Sequence, residues 1–193
     1  FYGTEGGTER QVIELIQCLD SRRYRPFFAV LRPSNYIDWH EFPCPAKILS
    51  IKSLSRPMTL LKMLIFVSYL HRSRIDLVHV FFNDSAIIAP IFCKMSGAHV
   101  VTSRRDMGFW YTLRILYLLK LSNRFVDRIA VNSHTVKHNV AKMEKYPADR
   151  IKVLYNGLSS QRVKVDKVAG FREKYGISPD AFIVGMVSNL YAI

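Results

Sequence analysis

The sequence predicts an α/β fold, a doubly wound and mostly parallel sheet with flanking helices. Two observations support this class. Short apolar runs rich in β-branched or aromatic residues, such as residues 26–31 (PFFAVL) and 75–82 (IDLVHVFF), alternate along the chain with longer segments of helical periodicity. The chain also has 193 residues, of which 49% are hydrophobic, so it can bury a substantial core.

Each predicted element has a local signal. The first helix begins near Thr8, where apolar residues start to recur at helical spacing. Pro57 suits the first turn of a helix, because its missing N–H would be unpaired there in any case. Asp84 can cap the helix that Gly97 ends. These signals predict helices over residues 57–72, 84–95, 110–123 and 133–145, and a six-stranded sheet over residues 26–31, 46–51, 75–82, 99–102, 128–131 and 151–154.

The chain divides into three predicted parts. Residues 1–160 form the first domain, whose first strand is expected ahead of Phe1. The composition turns polar after residues 156–157, so residues 161–180 are expected to be an interdomain linker region. Residues 181–193 are interpreted as the start of a second domain, truncated soon after an apolar strand at residues 183–187.

Composition limits the classes of partner. The chain carries 28 Lys and Arg against 15 Asp and Glu, a formal charge of +13, which favours nucleic acid, a phosphorylated small molecule or an anionic membrane. Cys18, Cys44 and Cys93 are widely spaced, which predicts neither a disulfide framework nor a metal site and fits a reducing cytosol. The longest apolar segments are shorter than the about 20 residues of a membrane-spanning helix.

The first candidate site is the glycine-rich start of the chain. Gly6 and Gly7 lead directly into a helix, where free N–H groups and the helix dipole attract anions. Ligands of doubly wound sheets bind beyond the carboxyl ends of the strands, where this turn is expected to lie. The alternative is a plain turn in which Thr8 caps the helix.

The second candidate site follows the strand at residues 99–102. Arg104 and Arg105 could clamp a phosphate, and Asp106 could orient or deprotonate a hydroxyl group. The alternative is a structural salt bridge. Ser133, Asn156 and Gly157 follow two later strands and add small polar groups to the same predicted edge, although each could simply be a helix cap or a turn residue.

Two segments contain no acidic residue. Residues 42–75 and 107–126 include basic side chains among aliphatic and aromatic ones, which is typical of helices that lie in a membrane interface. The alternative is a pair of core helices whose exposed faces happen to be basic.

Six motifs in order give the chain a family resemblance. They are GGTER at residues 6–10, DLVHVF at 76–81, VVTSRRD at 100–106, IAVNSHTVKHNV at 129–140, VLYNGL at 153–158 and VGMVSNL at 184–190. Together they resemble the amino-terminal domain of GT-B-fold glycosyltransferases of family 4, which are retaining enzymes that use nucleotide-activated sugars. The resemblance covers nearly the whole chain.

The resemblance implies a division of labour. The first domain would bind the acceptor, the second would bind a UDP- or GDP-sugar, and transfer would occur between them without a metal or a further cofactor. Gly6 and Gly7 would approach the donor phosphate and the transferred sugar, with Arg104, Ser133, Asn156 and Gly157 as further binding residues and Asp106 and Arg105 as catalytic ones. The acceptor would be a sugar or a lipid-linked molecule. The spacing of the cysteines, the positive charge and the acid-free segments, rather than the resemblance, favour an enzyme that is cytoplasmic and peripheral on an anionic membrane.

The chain departs from the family pattern at two places. Arg105 stands where many relatives carry a histidine before the acid, and Asn189 stands where relatives often have arginine. The glutamate-bearing segment that holds the donor in the family is absent, so the chain alone is expected to be inactive.

Two alternative functional classes lack the sequence features that they require. A Rossmann-type dehydrogenase or epimerase predicts a G-x-G-x-x-G turn, and Gly3, Gly6 and Gly7 do not have that spacing. A nucleic-acid-binding module would explain the charge but needs a groove-reading element or an aromatic sheet face, and none is evident. Nucleic acid is therefore not an expected partner.

Overall fold

The computed structural model describes residues 6–33, 43–157 and 170–185. The chain divides into two compact units, Phe1–Gly157 and Leu158–Ile193. The described elements of the first unit are the helices α1 (Gly7–Cys18), α2 (Pro57–Arg72), α3 (Asn83–Met95), α4 (Leu113–Ser122) and α5 (His134–Met143), and the strands β1 (Phe28–Val30), β2 (Ala46–Ile48), β3 (Leu77–Val80), β4 (His99–Arg104), β5 (Arg128–Val131) and β6 (Ile151–Val153). This confirms the predicted α/β class.

The six strands form two sheets rather than the predicted single one. β3, β4, β5 and β6 pair in that order, all parallel, while β1 pairs only with β2 among the described strands. A cavity of about 1340 Å³ lies between β1 and β3, with α1 and α2 among its walls. The strand predicted ahead of Phe1 lies outside the described residues.

The core lies between the four-stranded sheet and its helices. The central strands are apolar because a parallel sheet is covered on both faces, and Val100, Ile129 and Ile151 are fully buried on three adjacent strands. α3 packs on β3 and β4, and α5 packs on β5 and β6. Each fully buried aliphatic side chain contributes about 1.5–3 kcal/mol.

Helix boundaries show where local signals were sufficient. α2 begins at Pro57 and ends at Arg72, as predicted. α3 begins at Asn83 with Phe82 as its N-cap, so the prediction that Asp84 caps it is wrong. Asp84 instead forms an ion pair with Arg32, with 2.6 Å between Nη2 and Oδ2.

The second unit is described over residues 170–185. A short helix α6 (Phe171–Lys174) begins after Gly170, whose φ of 76° is accessible to glycine. Arg172 donates hydrogen bonds to the carbonyl oxygens of Ser178 and Ala181 at 2.6 and 3.0 Å. Residues 183–185 are not in a strand, and the rest of the strand predicted at 183–187 lies outside the described residues.

Candidate active site

The start of α1 lies beside the end of β6. The side-chain amide of Gln11 donates to the carbonyl oxygen of Gly157 at 2.7 Å, and the amide of Gly157 donates back to Gln11 at 3.1 Å. Because β3, β4, β5 and β6 are parallel, their carboxyl ends meet at one edge of the sheet. The two hydrogen bonds therefore hold the N-terminal half of α1 at that edge, where doubly wound sheets bind ligands.

The two glycines of this turn differ in their surroundings. Gly6 is the N-cap of α1, and a Cβ atom there would collide with the carboxylate of Glu9. Gly7 is exposed, and a Cβ atom there would meet nothing within 4 Å. The first backbone amides of a helix have no partner inside the helix. The exposed position of Gly7 therefore gives a ligand access to this end of α1, whereas a side chain at Gly6 would require the Glu9 carboxylate to move.

Arg105 follows β4 and joins the same edge. Its Nη2 donates to Oδ1 of Asn156 at 2.5 Å, and its carbonyl oxygen accepts from Nδ2 of Asn132 at 3.0 Å. The guanidinium lies 6.0 Å from the centre of the Phe81 ring. Burial lowers the pKa of Arg105 from its ordinary value. Because Asn156 precedes Gly157, the structure connects Arg105 to the turn that contacts α1.

Asp106 shapes the loop after β4. Its Oδ1 accepts from the amide of Gly108 at 2.7 Å and from Nε1 of Trp110 at 3.0 Å. The residue is exposed. One carboxylate oxygen is therefore engaged in holding the loop and Trp110, while the side chain stays accessible from solvent.

Ser133 has a local structural role. It is the N-cap of α5, and its Oγ accepts from the amide of Val136 at 3.2 Å. This is the arrangement weighed as the alternative for Ser133 in the sequence. The hydroxyl proton is not used in that bond and can be donated elsewhere.

The sequence profile of Glycosyltransferase Family 4 matches residues 5–162, most of the chain and all of the elements around this edge. The chain belongs to Glycosyltransferase Family 4. A search of curated protein sequences finds no match.

Solved structures place this member of Glycosyltransferase Family 4 among related folds. HepE from Anabaena, crystallised with UDP, is 17% identical with a TM-score of 0.69, over 90% of this chain and 48% of that one. A glycosyltransferase from Rickettsia africae is 16% identical with a TM-score of 0.59, over 91% and 48%. The lipopolysaccharide outer core galactosyltransferase WaaB is 15% identical with a TM-score of 0.57, over 81% and 44%. The chain thus spans about half the length of these structures.

Arg104 is not part of the cluster at the sheet edge. Its guanidinium is buried and donates to the Glu144 carboxylate from Nε at 2.7 Å and from Nη2 at 3.0 Å. Asn123 and the hydroxyl of Tyr111 donate to the same carboxylate. The guanidinium is therefore committed to a buried ion pair, the arrangement weighed as the alternative for this arginine in the sequence.

Burial and charge oppose each other in this pair. Burial on its own would raise the pKa of Glu144, but the charge of Arg104 and the hydrogen bonds from Arg104, Tyr111 and Asn123 together hold the pKa below its usual value. The pKa of Tyr111 is raised, first by burial and then by the charge of Glu144. Glu144 is thus ionised and Tyr111 neutral at ordinary pH.

His79 is a feature of the edge that the sequence did not single out. Its Nε2 lies 2.8 Å from Oγ of Ser103, and its ring lies 4.2 Å from the ring of Phe81. Burial, and then the charge of Arg105, lower the pKa of His79 to about 4, so the ring is neutral at ordinary pH. The available signal was a histidine within an otherwise apolar strand, one residue before the end of β3.

Phe82 occupies a strained position at the carboxyl end of β3. Its φ of 68° and ψ of 156° lie in a region that is essentially restricted to glycine. Such strain costs on the order of 1–3 kcal/mol and gathers at functional sites. The strained residue lies next in the chain to Phe81, which contacts both His79 and Arg105.

Within residues 6–33, 43–157 and 170–185 there is no group of three His, Cys, Asp or Glu side chains that could hold a metal ion. Over the same ranges no helix has the length and hydropathy needed to cross a bilayer.

Proposed function

We propose that the protein carrying this chain is a retaining glycosyltransferase that transfers a sugar from a UDP- or GDP-sugar to a sugar or lipid-linked acceptor. Membership of Glycosyltransferase Family 4 supports the reaction class. The related fold of HepE binds UDP and UDP-glucose, which supports a nucleotide-sugar donor. Because the chain spans about half of such structures, the donor-binding half is expected beyond it, and this chain alone is expected to be inactive.

One observation carries the proposal. The start of α1 at the exposed Gly7 is linked by the Gln11–Gly157 hydrogen bonds to the turn that carries the Arg105–Asn156 pair, and a helix N-terminus with a guanidinium group suits phosphate binding. In a transfer from a nucleotide-sugar, negative charge develops on the leaving diphosphate. Fixed N–H groups and a guanidinium stabilise that charge most in the transition state.

Asp106 is the residue proposed to meet the acceptor. Its exposed carboxylate can accept a hydrogen bond from an acceptor hydroxyl and orient it for attack. Arg105 would add positive charge for the donor phosphate. Ser133 would serve mainly as the cap of α5, and Arg104 would act only through the buried pair with Glu144.

The further expectations are a protein that needs no cofactor besides the nucleotide-sugar and no metal, and that works in the cytoplasm at the surface of an anionic membrane. Activity that persists in a chelator would support the first expectation. Retention would be tested by the anomeric configuration of the product, read by NMR before it equilibrates.

The decisive experiment measures donor use by the full-length protein. Purified protein is incubated with a panel of UDP- and GDP-sugars, and binding and slow donor hydrolysis are recorded. Arg105→Gln is expected to weaken donor binding about 10-fold or more, because a charge-assisted hydrogen bond contributes about 1.5–3 kcal/mol. Arg128→Gln is the matched control, since Arg128 begins β5 at the opposite edge of the sheet. Indifference to every donor would refute the proposal.

A further inference from the structure

The outward side of α2 is apolar. The residues of α2 that face the core are Thr59, Met63, Phe66 and Leu70, all buried. Leu61, Leu64 and Ile65 lie on the opposite side of the helix and are about half exposed or more, with Met58 and Leu60 flanking them. A surface helix normally carries polar residues on the side away from the core. α2 therefore presents apolar surface to both sides.

α4 carries a second apolar stripe. Leu113, Tyr117 and Leu121 recur at intervals of four, so they align on one side of the helix, and Leu113 and Tyr117 are 88% and 71% exposed. Leu119 and Ser122 are buried on the other side. The exposed side chains of Arg114 and Lys120 flank the stripe, as in helices that lie in a membrane interface.

The two stripes belong to one layer of helices. α3 contacts both α2 and α4. Each stripe lies opposite the buried residues of its own helix, so both face away from the sheet. The exposed Ile91 and Met95 of α3 add to the apolar area between them. We refer to the outward sides of α2, α3 and α4, with these residues, as the lipid-facing surface.

Charge indicates what this surface meets. No acidic residue occurs in residues 43–74 or 107–126, which include α2 and α4. The exposed cations of these two segments are Lys47, Lys52, Arg56, Arg72, Arg74, Arg114, Lys120 and Arg124. Exposed apolar residues among cations match an anionic bilayer, in which acyl chains lie beneath phosphate headgroups. A protein that bound this surface instead would itself need an apolar area surrounded by acidic residues.

We propose that the lipid-facing surface docks this protein on an anionic bilayer, with the apolar stripes of α2 and α4 among the acyl chains and the flanking cations at the lipid phosphates. The proposal rests on the proposed function for its purpose, since a lipid-linked acceptor would be presented at that membrane. It names the face of the first unit that makes the contact.

The experiment is co-sedimentation of the full-length protein with vesicles. Vesicles of phosphatidylcholine alone are compared with vesicles in which roughly one third of the lipid is phosphatidylglycerol, at low and high salt. The charge variant is Arg114→Glu with Lys120→Glu, and its matched control is Arg23→Glu with Lys142→Glu, which makes the same change in net charge at exposed cations on or near α1 and α5. Monomer state and thermal stability are recorded for every variant.

A second pair of variants tests the apolar part. Leu61→Gln with Ile65→Gln removes apolar surface from the outward side of α2, and Met143→Gln is a control at another exposed apolar residue. These side chains are exposed, so the fold is expected to tolerate the changes. Both sets are also assayed for donor hydrolysis without vesicles, which reports the proposed function separately from docking.

We expect the unaltered protein to bind anionic vesicles at least 10-fold better than neutral ones and to lose much of that binding at high salt. Each surface variant should lose most of the binding, while both controls keep it and all of them hydrolyse donor as before. Equal binding by surface variants and controls, or no binding to anionic vesicles, would overturn the proposal. So would a dimer that Leu61→Gln with Ile65→Gln converts to monomers without any vesicle binding, since that result identifies a second copy as the occupant.

Discussion

The Glu144→Gln substitution is expected to destabilise the first unit severely. The side chain of Glu144 is fully buried, and its carboxylate accepts hydrogen bonds from Arg104 at 2.7 and 3.0 Å, from Asn123 at 2.8 Å and from the hydroxyl of Tyr111. Glutamine has the same shape but presents an NH₂ group to this set of donors. It also leaves the buried guanidinium of Arg104 without a counter-charge.

The expected magnitude follows from this burial. Removing one partner of a buried ion pair costs about 3–5 kcal/mol, against a net stability of about 5–15 kcal/mol for a folded domain. With a urea dependence of about 2 kcal/mol per molar, a loss of about 4 kcal/mol lowers the unfolding midpoint by about 2 M. Urea unfolding followed by circular dichroism measures this shift.

A double-mutant cycle separates the pair from general damage to the core. Arg104→Met and Glu144→Leu should each cost about as much as Glu144→Gln, because each leaves one buried charge unpaired, whereas the two changes together should cost far less than the sum of these two single changes. Lys94→Met is the control, since Lys94 pairs with Asp127 at a partly exposed position and should contribute no more than about 1 kcal/mol. A Glu144→Gln cost no larger than that of Lys94→Met would refute the reasoning.

Three further predictions concern single residues. Gly7→Ala should leave the unfolding temperature unchanged or slightly higher, because the added methyl group meets open space. It should lower donor turnover about 10-fold, because the methyl group would occupy space proposed for the donor. Equal turnover would show that Gly7 is not part of the donor site. Burial lowers the pKa of His79 to about 4, so between about pH 6.5 and 4 the unfolded chain binds a proton that the folded protein does not. The free energy of unfolding should therefore fall by about 3 kcal/mol as the pH decreases through that range. Urea unfolding should show this loss in the unaltered protein and not in His79→Gln. Cys18 is exposed, whereas burial raises the pKa of the Cys93 thiol to about 12. A thiol reagent should therefore label Cys18 in the native protein and Cys93 only after unfolding. Rapid labelling of Cys93 in the native protein would contradict its burial.

Local signals were sufficient where the determinant lies within a few residues. Pro57 fixes the start of α2 because its ring and missing N–H suit a first turn, and the strand predicted at 128–131 coincides with β5 because its residues pair on both sides. The prediction for Asp84 is wrong for the opposite reason. Its partner Arg32 lies 52 residues away, and that contact, which no local pattern reveals, holds the carboxylate away from the helix cap.

The sequence predicted at which edge of the sheet the candidate site lies, but not which residues contact one another there. Strand order and the parallel arrangement bring the segments after β4, β5 and β6 to one edge, which is why Arg105, Asn156 and Gly157 are found there. The contact that brings α1 to them is between Gln11 and Gly157, 146 residues apart. Gln11 is the fifth residue of α1, beyond the position where glutamine completes a capping box, so the sequence offered no reason to select it.

Strand geometry also explains why the side chains of Arg104 and Arg105 have different partners. Successive side chains of a strand point to opposite faces of the sheet, so adjacent arginines at the end of β4 cannot clamp the same phosphate. Ser103 and Arg105 share one face with His79 and Phe81 of the neighbouring strand, as the Ser103–His79 hydrogen bond and the position of Arg105 over Phe81 require.

Arg104 points to the other face, where it meets Glu144 at the end of α5, Asn123 at the end of α4 and Tyr111 before α4. One face of the sheet thus carries the groups proposed to meet the donor, and the other fixes the helix proposed to meet the membrane. Loss of the Arg104–Glu144 pair should therefore loosen α4 and weaken vesicle binding before it alters the residues around Arg105.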